Sequence, residues 1–342
     1  MNRKEEHFMN DYIFRSVFAP YINQFMVAKE TMGFGLIKFR VIFKEFDQFF
    51  IAEKVDEPFI TQSLIVKWRA TRVNDSNRTI YDKYSIISQF AKYLNHLGFP
   101  CYVPRLPKRN FEDFIPYVFS DEQILNIFKV SDSIIMSYRN MESKLFAIPA
   151  LLRLLYSAGL RVSEAISLKN NDVELERSRI VVKKTKNQQQ RFIPINNSLQ
   201  IVLRQYQEAR NRLPLVNTKA PDSYFFISPI GRPLSKNSVY FWFKIVLKQC
   251  GIPHVGKNRG PRVHDLRHTC AVHSLREQVK TGADIYCVLP ILSVFLGHRT
   301  LAGTEHYVRL TQEMFPDIIK MEQSISSFVF PSNLQITIDY EK

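Results

Sequence analysis

The chain has 342 residues, enough for two domains of ordinary size, and 45% of them are hydrophobic, so each domain can bury a core. Lysine and arginine total 47 against 32 aspartate and glutamate, and this net charge of +15 favours a polyanionic partner, most simply nucleic acid. No stretch approaches the roughly 18 apolar residues of a membrane span. The first residues lack the apolar run of a signal peptide, so we expect a soluble cytoplasmic protein.

The charge is unevenly distributed along the chain, and the cysteines show no pairing or metal-binding pattern. Residues 1–117 hold 17 basic and 13 acidic side chains, whereas residues 118–342 hold 30 and 19, so the excess positive charge lies in the second part of the chain. Cys101, Cys250, Cys270 and Cys287 form no CxxC pair and have no metal-type spacing. We therefore expect free thiols in a reducing cytosol and no metal site.

Residues 12–98, after an extension at residues 1–11, are predicted to form a helical domain. Apolar residues recur there at steps of three and four, which is the period of an amphipathic helix. The predicted helices are Phe14–Val27, Leu36–Ile51, a short basic helix at Ser63–Arg72, and Asn77–Leu97, which Gly98 ends. This domain contains no cluster of catalytic residue types.

Residues 99–119 are predicted to be a linker. Prolines at positions 100, 104 and 107 oppose helix and favour an extended chain. Beside them stand three basic residues, Arg105, Lys108 and Arg109. Two interpretations stay open: a linker that lies along DNA phosphates, and an ordinary solvated linker.

The second predicted domain covers residues 120–323, followed by a weakly patterned tail at residues 324–342. Ser120 and Gln123 fit a capping box before the first helix, and Ser163 is predicted to cap a short helix that ends at Leu168. Two β-rich runs, Arg179–Lys184 and Phe192–Ile195, predict a small hairpin. Tyr224–Ser228 is predicted to be a short strand. The other predicted helices are Ile124–Val130, Ala147–Ser157, Asn197–Arg212, Lys236–Cys250, Val263–Glu277, Ile285–Leu296, Leu301–Leu310 and Gln312–Gln323.

Five short stretches of this domain carry residues that suit attack on a phosphodiester. They are Gly159–Glu164, Lys186 in a basic turn, His264–Arg267, Leu296–His298, and Tyr307. Arginine is the natural clamp for the charged oxygens of a phosphate, because its planar fork donates two hydrogen bonds and stays protonated. Arg161 and Arg267 are the candidates for this role.

Histidine, tyrosine and lysine supply the remaining chemistry. His264 and Arg267 are three residues apart, so one helical face presents both, and an imidazole there can bind a phosphate or relay a proton. Gly297 lets the backbone approach a ligand beside His298. A lysine on the hairpin turn can protonate the leaving oxygen, and Lys183, Lys184 and Lys186 are all candidates.

The whole chain resembles the tyrosine site-specific recombinases of the phage-integrase and Xer type. The resemblance rests on SAGLRVSEAISL (157–168), RFIPI (191–195), HDLRHTCA (264–271) and LGHRTLAGTEHY (296–307). It implies a mainly α-helical α+β protein with a small β-hairpin, in which a helical core-binding domain precedes a mixed α/β catalytic domain. The motifs themselves cover residues 156–310, and the first domain matches by its layout only.

The resemblance also implies roles for single residues. Arg161 and Arg267 bind the scissile phosphate, His298 holds it from the other side, and Tyr307 is the nucleophile. His264 contacts the phosphate and accepts the tyrosine proton. Lys186 protonates the leaving 5′-hydroxyl, with Lys184 as the alternative, because the glycine that often precedes this lysine is missing here. Glu164 is expected to hold Arg161 and its turn in place.

The implied reaction passes through a 3′-phosphotyrosyl link and needs no cofactor, neither ATP nor a metal. The implied partners are a double-stranded DNA recombination site, a homotetramer on two duplexes, and accessory DNA-bending or directionality proteins. The protein is expected at the nucleoid when it acts. In such proteins the segment that corresponds to the predicted helix Gln312–Gln323 and the tail often docks on the next protomer. Packing of this segment on its own protomer is the alternative.

Several functions are compatible with these residues. We expect a recombinase that integrates or excises a mobile element, with an Xer-type resolvase of chromosome or plasmid dimers as the alternative. A type IB topoisomerase and a non-catalytic DNA-binding regulator are further possibilities. Base-reading side chains are not evident from the sequence, and the candidates are Lys67, Arg69 and Arg72 on one predicted helix and Lys236 with Asn237 at the start of another.

Overall fold

A computed structural model describes residues 12–108, 115–134, 144–183, 190–254, 260–298 and 300–315 of the chain. The chain folds as two compact units, Met1–Phe114 and Ile115–Lys342. The fold is mostly helical, with one three-stranded antiparallel sheet, which confirms the predicted fold class. In the described part of the chain no helix is long and apolar enough to cross a membrane.

The described part of the first unit has four helices around an aromatic core. Their bounds are α1 Ala19–Thr31, α2 Ile37–Ala52, α3 Gln62–Ala70 and α4 Asn77–His96. Phe25 on α1 contacts Phe43 on α2 and Phe90 on α4 in edge-to-face geometry, with ring centroids 5.8 and 5.5 Å apart. Trp68 on α3 is fully buried and completes this core.

Two predictions in the first unit were wrong at helix ends. The first helix begins at Ala19 and not at Phe14, because the buried carboxylate of Asp47 accepts hydrogen bonds from the backbone N–H groups of Arg15 and Ser16 and holds this segment in a turn. The basic helix ends at Ala70, so Arg72 lies beyond it.

The second unit surrounds a larger core with seven helices of eight residues or more in its described part, one shorter helix and the sheet. The bounds are α5 Asp121–Ser133, α6 Ile148–Ser157, α7 Val162–Ser167, β1 Val173–Glu174, β2 Arg179–Val182, β3 Arg191–Pro194, α8 Asn197–Asn211, α9 Lys236–Gln249, α10 Asp265–Lys280, α11 Ile285–Leu296 and α12 Ala302–Met314. The predicted capping box of Ser120 and Gln123 begins α5. Helix α10 packs against α6, α11 and α12, which brings three of the sequence motifs together.

The sheet has the order β1-β2-β3 and contains the predicted hairpin. In β2 and β3, Ile180 pairs with Ile193 and Val182 pairs with Arg191. The first strand, Val173–Glu174, was not predicted, because two residues are too short to show an alternating pattern.

Tyr224–Ser228 is not a strand, and its prediction was wrong. The segment makes only isolated bridges, Lys169 with Tyr224 and Ile227 with Pro233. Its backbone bonds to side chains of α8 instead: the Ile227 N–H donates to the Tyr206 hydroxyl, and the Phe225 carbonyl accepts from Arg210. The β-rich composition reflects burial, since Phe225 and Phe226 are fully inaccessible.

Two further boundaries differ from the prediction. Arg161, and not Ser163, is the N-cap of α7. The predicted break between Leu310 and Gln312 is absent: α12 continues to Met314, and the Thr311 hydroxyl donates to the Tyr307 carbonyl within it. The rest of the last predicted helix and the tail lie outside the described residues.

Candidate active site

The site begins at the turn after α6, where Gly159 has a φ of +56°. A Cβ at this glycine would lie 2.9 Å from Cδ2 of Leu296, so only glycine lets the turn pack this closely against α11. The Gly159 carbonyl accepts a hydrogen bond of 2.6 Å from Nη1 of Arg267. Packing of the turn therefore positions one of the two candidate phosphate-binding arginines.

Glu164 organises the other side of the site. Its carboxylate, 2% exposed, accepts hydrogen bonds from the Arg161 backbone N–H and from Nη1 of Arg161 at 2.8 Å. It also accepts from Nη2 of Arg191 at 2.9 Å. Burial raises the pKa of Glu164, but the hydrogen bonds and charges of Arg191 and Arg161 outweigh it and hold that pKa below its usual value.

Arg191 ties this cluster to the end of α11. Its Nε donates to the Phe295 carbonyl at 3.0 Å, while Nη2 of Arg161 donates to the Gly297 carbonyl at 3.2 Å. Arg267 reaches the same region, because its Nη2 donates to the Leu296 carbonyl at 2.7 Å. Three carbonyls at the end of one helix thus hold three arginines, as expected for the negative end of a helix dipole.

His298 is joined to Arg267 and to α12. Nη2 of Arg267 lies 2.9 Å from Nε2 of His298, and Nδ1 of His298 lies 2.7 Å from the hydroxyl of Thr304. Burial and the positive charge of Arg267 lower the pKa of His298 to about 4, so this imidazole is neutral at pH 7.

Tyr307 on α12 is buried, with 1% of its surface exposed. Its hydroxyl lies 2.7 Å from Nδ1 of His268 on α10, and its ring stacks on that of His298 at 6.3 Å and 15°. Burial raises the pKa of Tyr307 to about 12, and the nearby charges of Arg267 and Arg161 act in the opposite direction. The hydroxyl therefore keeps its proton at neutral pH, close to both arginines.

His264 stands at the N-cap of α10 and keeps contact with solvent. Its ring lies 4.8 Å from that of His268 in edge-to-face geometry. Desolvation by the surrounding protein and the charge of Arg267 lower the pKa of His264 to about 4. Despite these histidines, the described ranges contain no group of three or more His, Cys, Asp or Glu side chains that could hold a metal ion.

The structure thus gathers Arg161, Glu164, Arg267, His298 and Tyr307 into one set of contacts, with His264 beside it. Lys186 and Lys184 lie outside the described residues. Lys183 forms an ion pair of 2.6 Å with Asp172.

Three side chains of the cluster were missed by sequence reasoning: His268, Arg191 and Thr304. His268 lies one turn after His264, and this i to i+4 spacing on one helical face was available as a signal. Arg191 begins the RFIPI motif, but the motif was used only for the resemblance and Arg191 itself was given no role. Thr304 carried no signal, because its role depends on how α12 packs.

The candidate DNA-binding residues lie apart from this cluster in the chain. Lys67 forms an ion pair with Glu53 at 2.8 Å, and Arg72 pairs with Glu45 at 3.3 Å. In the second unit, Lys236 and Asn237 are exposed in the first turn of α9. Arg109 lies outside the described residues.

The remaining three basic candidates of the first unit share a cavity. Arg69, Arg105 and Lys108 line a space of about 390 Å³. The extended segment that contains Arg105 thus lies against the helical unit at this point.

The fold and the clustered residues together define a tyrosine recombinase. The model of the phage integrase family matches residues 118–314, more than half of the chain, so the chain belongs to this family, whose members cut and rejoin DNA. This confirms the predicted family, enzyme class and general activity.

Relatives of two kinds cover nearly the whole chain. A putative integrase/recombinase y4rB of Sinorhizobium fredii is 26% identical over 89% of this chain and 96% of its own. The tyrosine recombinase XerC of Bacillus subtilis is 28% identical over 88% and 93%. Among solved structures, the XerH site-specific recombinase bound to palindromic difH substrate, a post-cleavage complex, superposes with a TM-score of 0.61 and 16% identity over 85% of this chain and 79% of that one.

Proposed function

We propose that this recombinase cuts a DNA strand at a specific site with Tyr307 and rejoins it to a partner strand, as part of the integration or excision of a mobile element. The observation that carries the proposal is the position of the Tyr307 hydroxyl. This oxygen belongs to a buried side chain, lies 2.7 Å from Nδ1 of His268, and is near enough to Arg267 and Arg161 for their charges to act on its pKa. A nucleophile beside two fixed positive charges suits attack on a phosphodiester.

The arginines are the proposed binding groups for the scissile phosphate. Arg161 and Arg267 are held by Glu164 and by backbone carbonyls, so their orientation is set before DNA arrives. Fixed donors of this kind stabilise the charge that grows on the phosphate oxygens in the transition state. His298 and His264 are the proposed additional contacts to the same oxygens.

The reaction balances without an external energy source. The Tyr307 hydroxyl gives its proton to a neighbouring histidine as its oxygen bonds to phosphorus. The bond from phosphorus to the 5′-oxygen breaks, and that oxygen takes a proton from Lys186, or from Lys184 in the alternative assignment. The bond energy is retained in the 3′-phosphotyrosyl link. A 5′-hydroxyl of a partner strand then attacks this link and releases Tyr307.

The proposed partners are a DNA recombination site and further copies of this chain, four on two duplexes, at the nucleoid. The XerH relative was solved on such a site. The outer face of α11 supports a protein partner, because Tyr286, Ile291 and Val294 on it are 60%, 70% and 71% exposed. The segment from Gln312 onward is the proposed link between protomers. Accessory bending or directionality proteins stay a prediction.

The biological role of the reaction is proposed to be integration or excision of a mobile element. Relatives named as an integrase/recombinase and as XerC cover similar shares of this chain, so a dimer resolvase is the alternative. The two roles differ in the reaction that a cognate site supports. Integration joins sites on two molecules, whereas resolution separates two sites on one molecule.

The test requires the cognate site, which the Tyr307→Phe protein can select from randomised or genomic duplexes by binding. The selected duplex, nicked near the crossover so that the cut strand diffuses away, is then incubated with the wild type and with Tyr307→Phe. We expect an SDS-resistant protein–DNA adduct from the wild type only. An adduct formed by Tyr307→Phe would overturn the nucleophile assignment.

Three other outcomes separate the alternatives. Relaxation of supercoiled DNA that lacks the site would indicate a topoisomerase. Tight binding with no adduct from the wild type would indicate a regulator. Plasmids with the site on one or on two molecules then distinguish resolution from integration.

A further inference from the structure

The hydrogen bond between Tyr307 and His268 gives the nucleophile a specific neighbour. Nδ1 of His268 lies 2.7 Å from the Tyr307 oxygen, although the two residues are 39 positions apart. His268 follows Arg267 on α10, and α10 packs directly against α12. The contact is therefore fixed by the helix packing that also brings Arg267 to the site.

We propose that His268 accepts the proton of the Tyr307 hydroxyl as the bond from that oxygen to phosphorus forms. This inference rests on the proposed function, in which Tyr307 is the nucleophile. His268 is then a catalytic residue, because it touches a reacting atom. His264 keeps its proposed contact to the phosphate but does not act as the proton acceptor.

The protonation states of the two groups match the transfer. Burial raises the pKa of Tyr307 to about 12, so its oxygen carries a proton. Burial and the neighbouring His264 lower the pKa of His268 to about 3, so its ring is neutral and one nitrogen is free to accept. In the tautomer that carries its proton on Nε2, Nδ1 accepts from the hydroxyl, and this is the form that the transfer requires.

Bound DNA supplies negative charge that reduces the cost of the transfer. Without a phosphate, a protonated His268 would face the positive charges of Arg262 and Arg267. A scissile phosphate brings negative charge between these groups, which stabilises an imidazolium beside it. The base thus gains proton affinity when substrate is in place.

The step balances in both directions. The Tyr307 O–H bond breaks, and its proton moves to Nδ1 of His268. The oxygen–phosphorus bond forms as the bond to the 5′-oxygen breaks. During rejoining the 5′-hydroxyl attacks, and His268 returns its proton to the departing Tyr307 oxygen.

The histidine at position 306 offers a matched control. His306 lies beside Tyr307 in α12, with ring centroids 3.9 Å apart, but the Tyr307 hydroxyl bonds to His268. His268→Asn places an amide near the position of Nδ1, which can accept a hydrogen bond but cannot take a proton. His306→Asn makes the same change in the same kind of secondary structure.

The experiment measures the rate of covalent adduct formation on the nicked cognate duplex. We expect His268→Asn and His268→Ala to be slowed about 100-fold or more, the usual contribution of a general base, and His306→Asn to stay within about threefold of the wild type. DNA binding and thermal unfolding of each variant establish that it is folded. If the rate of adduct formation falls by less than about 100-fold in His268→Asn or in His268→Ala, the inference is overturned.

A second substrate distinguishes protonation of the leaving 5′-oxygen from deprotonation of Tyr307. A bridging 5′-sulfur leaves without a proton, so it should rescue a variant that lacks the lysine acid and should not rescue His268→Asn. Rescue of His268→Asn would assign this histidine to the leaving group and overturn the inference. If the wild type itself forms no adduct on its bound DNA, the proposed function fails, which is a distinct result.

Discussion

Arg267 donates a hydrogen bond from Nη2 to Nε2 of His298 across 2.9 Å. Because a guanidinium can only donate, Nε2 must be the accepting nitrogen, and the proton of the neutral ring lies on Nδ1. That N–H then donates to the hydroxyl of Thr304 at 2.7 Å. Arg267 thus determines the tautomer of His298, and a buried threonine on α12 accepts the remaining ring proton.

Thr304→Val should slow adduct formation by about tenfold, since one lost hydrogen bond is worth about 1.4 kcal/mol. The physical reason is that the His298 Nδ1–H loses its acceptor, which frees the ring to turn away from Arg267. Thr311→Val is the control, because that buried hydroxyl bonds only to a carbonyl of its own helix. The rate on the nicked duplex checks the prediction, and equal rates for the two variants would contradict it.

Glu164→Ala should lower the free energy of unfolding by about 3–5 kcal/mol, because it leaves the buried charges of Arg161 and Arg191 without their partner. Glu174→Gln removes a carboxylate that pairs with Arg179 nearer the surface and should cost much less. Urea unfolding of both variants measures the difference. Similar decreases in the free energy of unfolding for the two variants would show that the buried cluster contributes no more to stability than a surface ion pair.

The stability of the DNA-free protein should fall as the pH is lowered from about 6.5 toward 4. Folding lowers the pKa of His268 to about 3 and those of His264 and His298 to about 4, whereas an unfolded histidine has a pKa of about 6.5. Between these values the unfolded chain binds more protons, so stability is full above pH 6.5 and decreases below it. The lowered pKa of Glu164 adds a loss of stability as the pH falls from the ordinary glutamate range through its folded-state value.

Urea unfolding at several pH values tests this dependence. The double variant His268→Asn/His298→Asn should show a flatter slope between pH 6.5 and 4 than the wild type. An unchanged slope in the double variant would rule out these histidines as its cause.

Gly297→Ala should destabilise the protein more than Gly251→Ala. Both glycines end helices at a positive φ, +68° and +70°, so each alanine should cost about 1–2 kcal/mol in backbone strain. A Cβ at Gly297 would also lie 2.7 Å from Nη1 of Arg191, whereas nothing lies within 4 Å of one at Gly251. Displacement of Arg191 from Glu164 should add to the cost, and thermal unfolding of the pair measures the excess.

The sequence determined the elements whose ends are marked locally. Helix α11 spans Ile285–Leu296 as predicted, because Asp284 caps its start and Gly297 takes the left-handed conformation at its end. The predicted start of α4 at Asn77 was equally accurate, since Ser76 accepts from the Thr79 N–H. The order of arginine, histidine and tyrosine motifs was likewise sufficient to predict the family.

The tertiary structure decided which side chains meet. The family resemblance assigned the tyrosine proton to His264, whereas the packing of α10 against α12 places Nδ1 of His268 next to the Tyr307 hydroxyl. Arg191 reaches Glu164 across 27 residues, and Arg267 reaches the Gly159 carbonyl across 108. Caps and periodicity act within one or two turns of chain, so they determine helices, whereas hydrogen bonds between distant residues depend on how those helices pack.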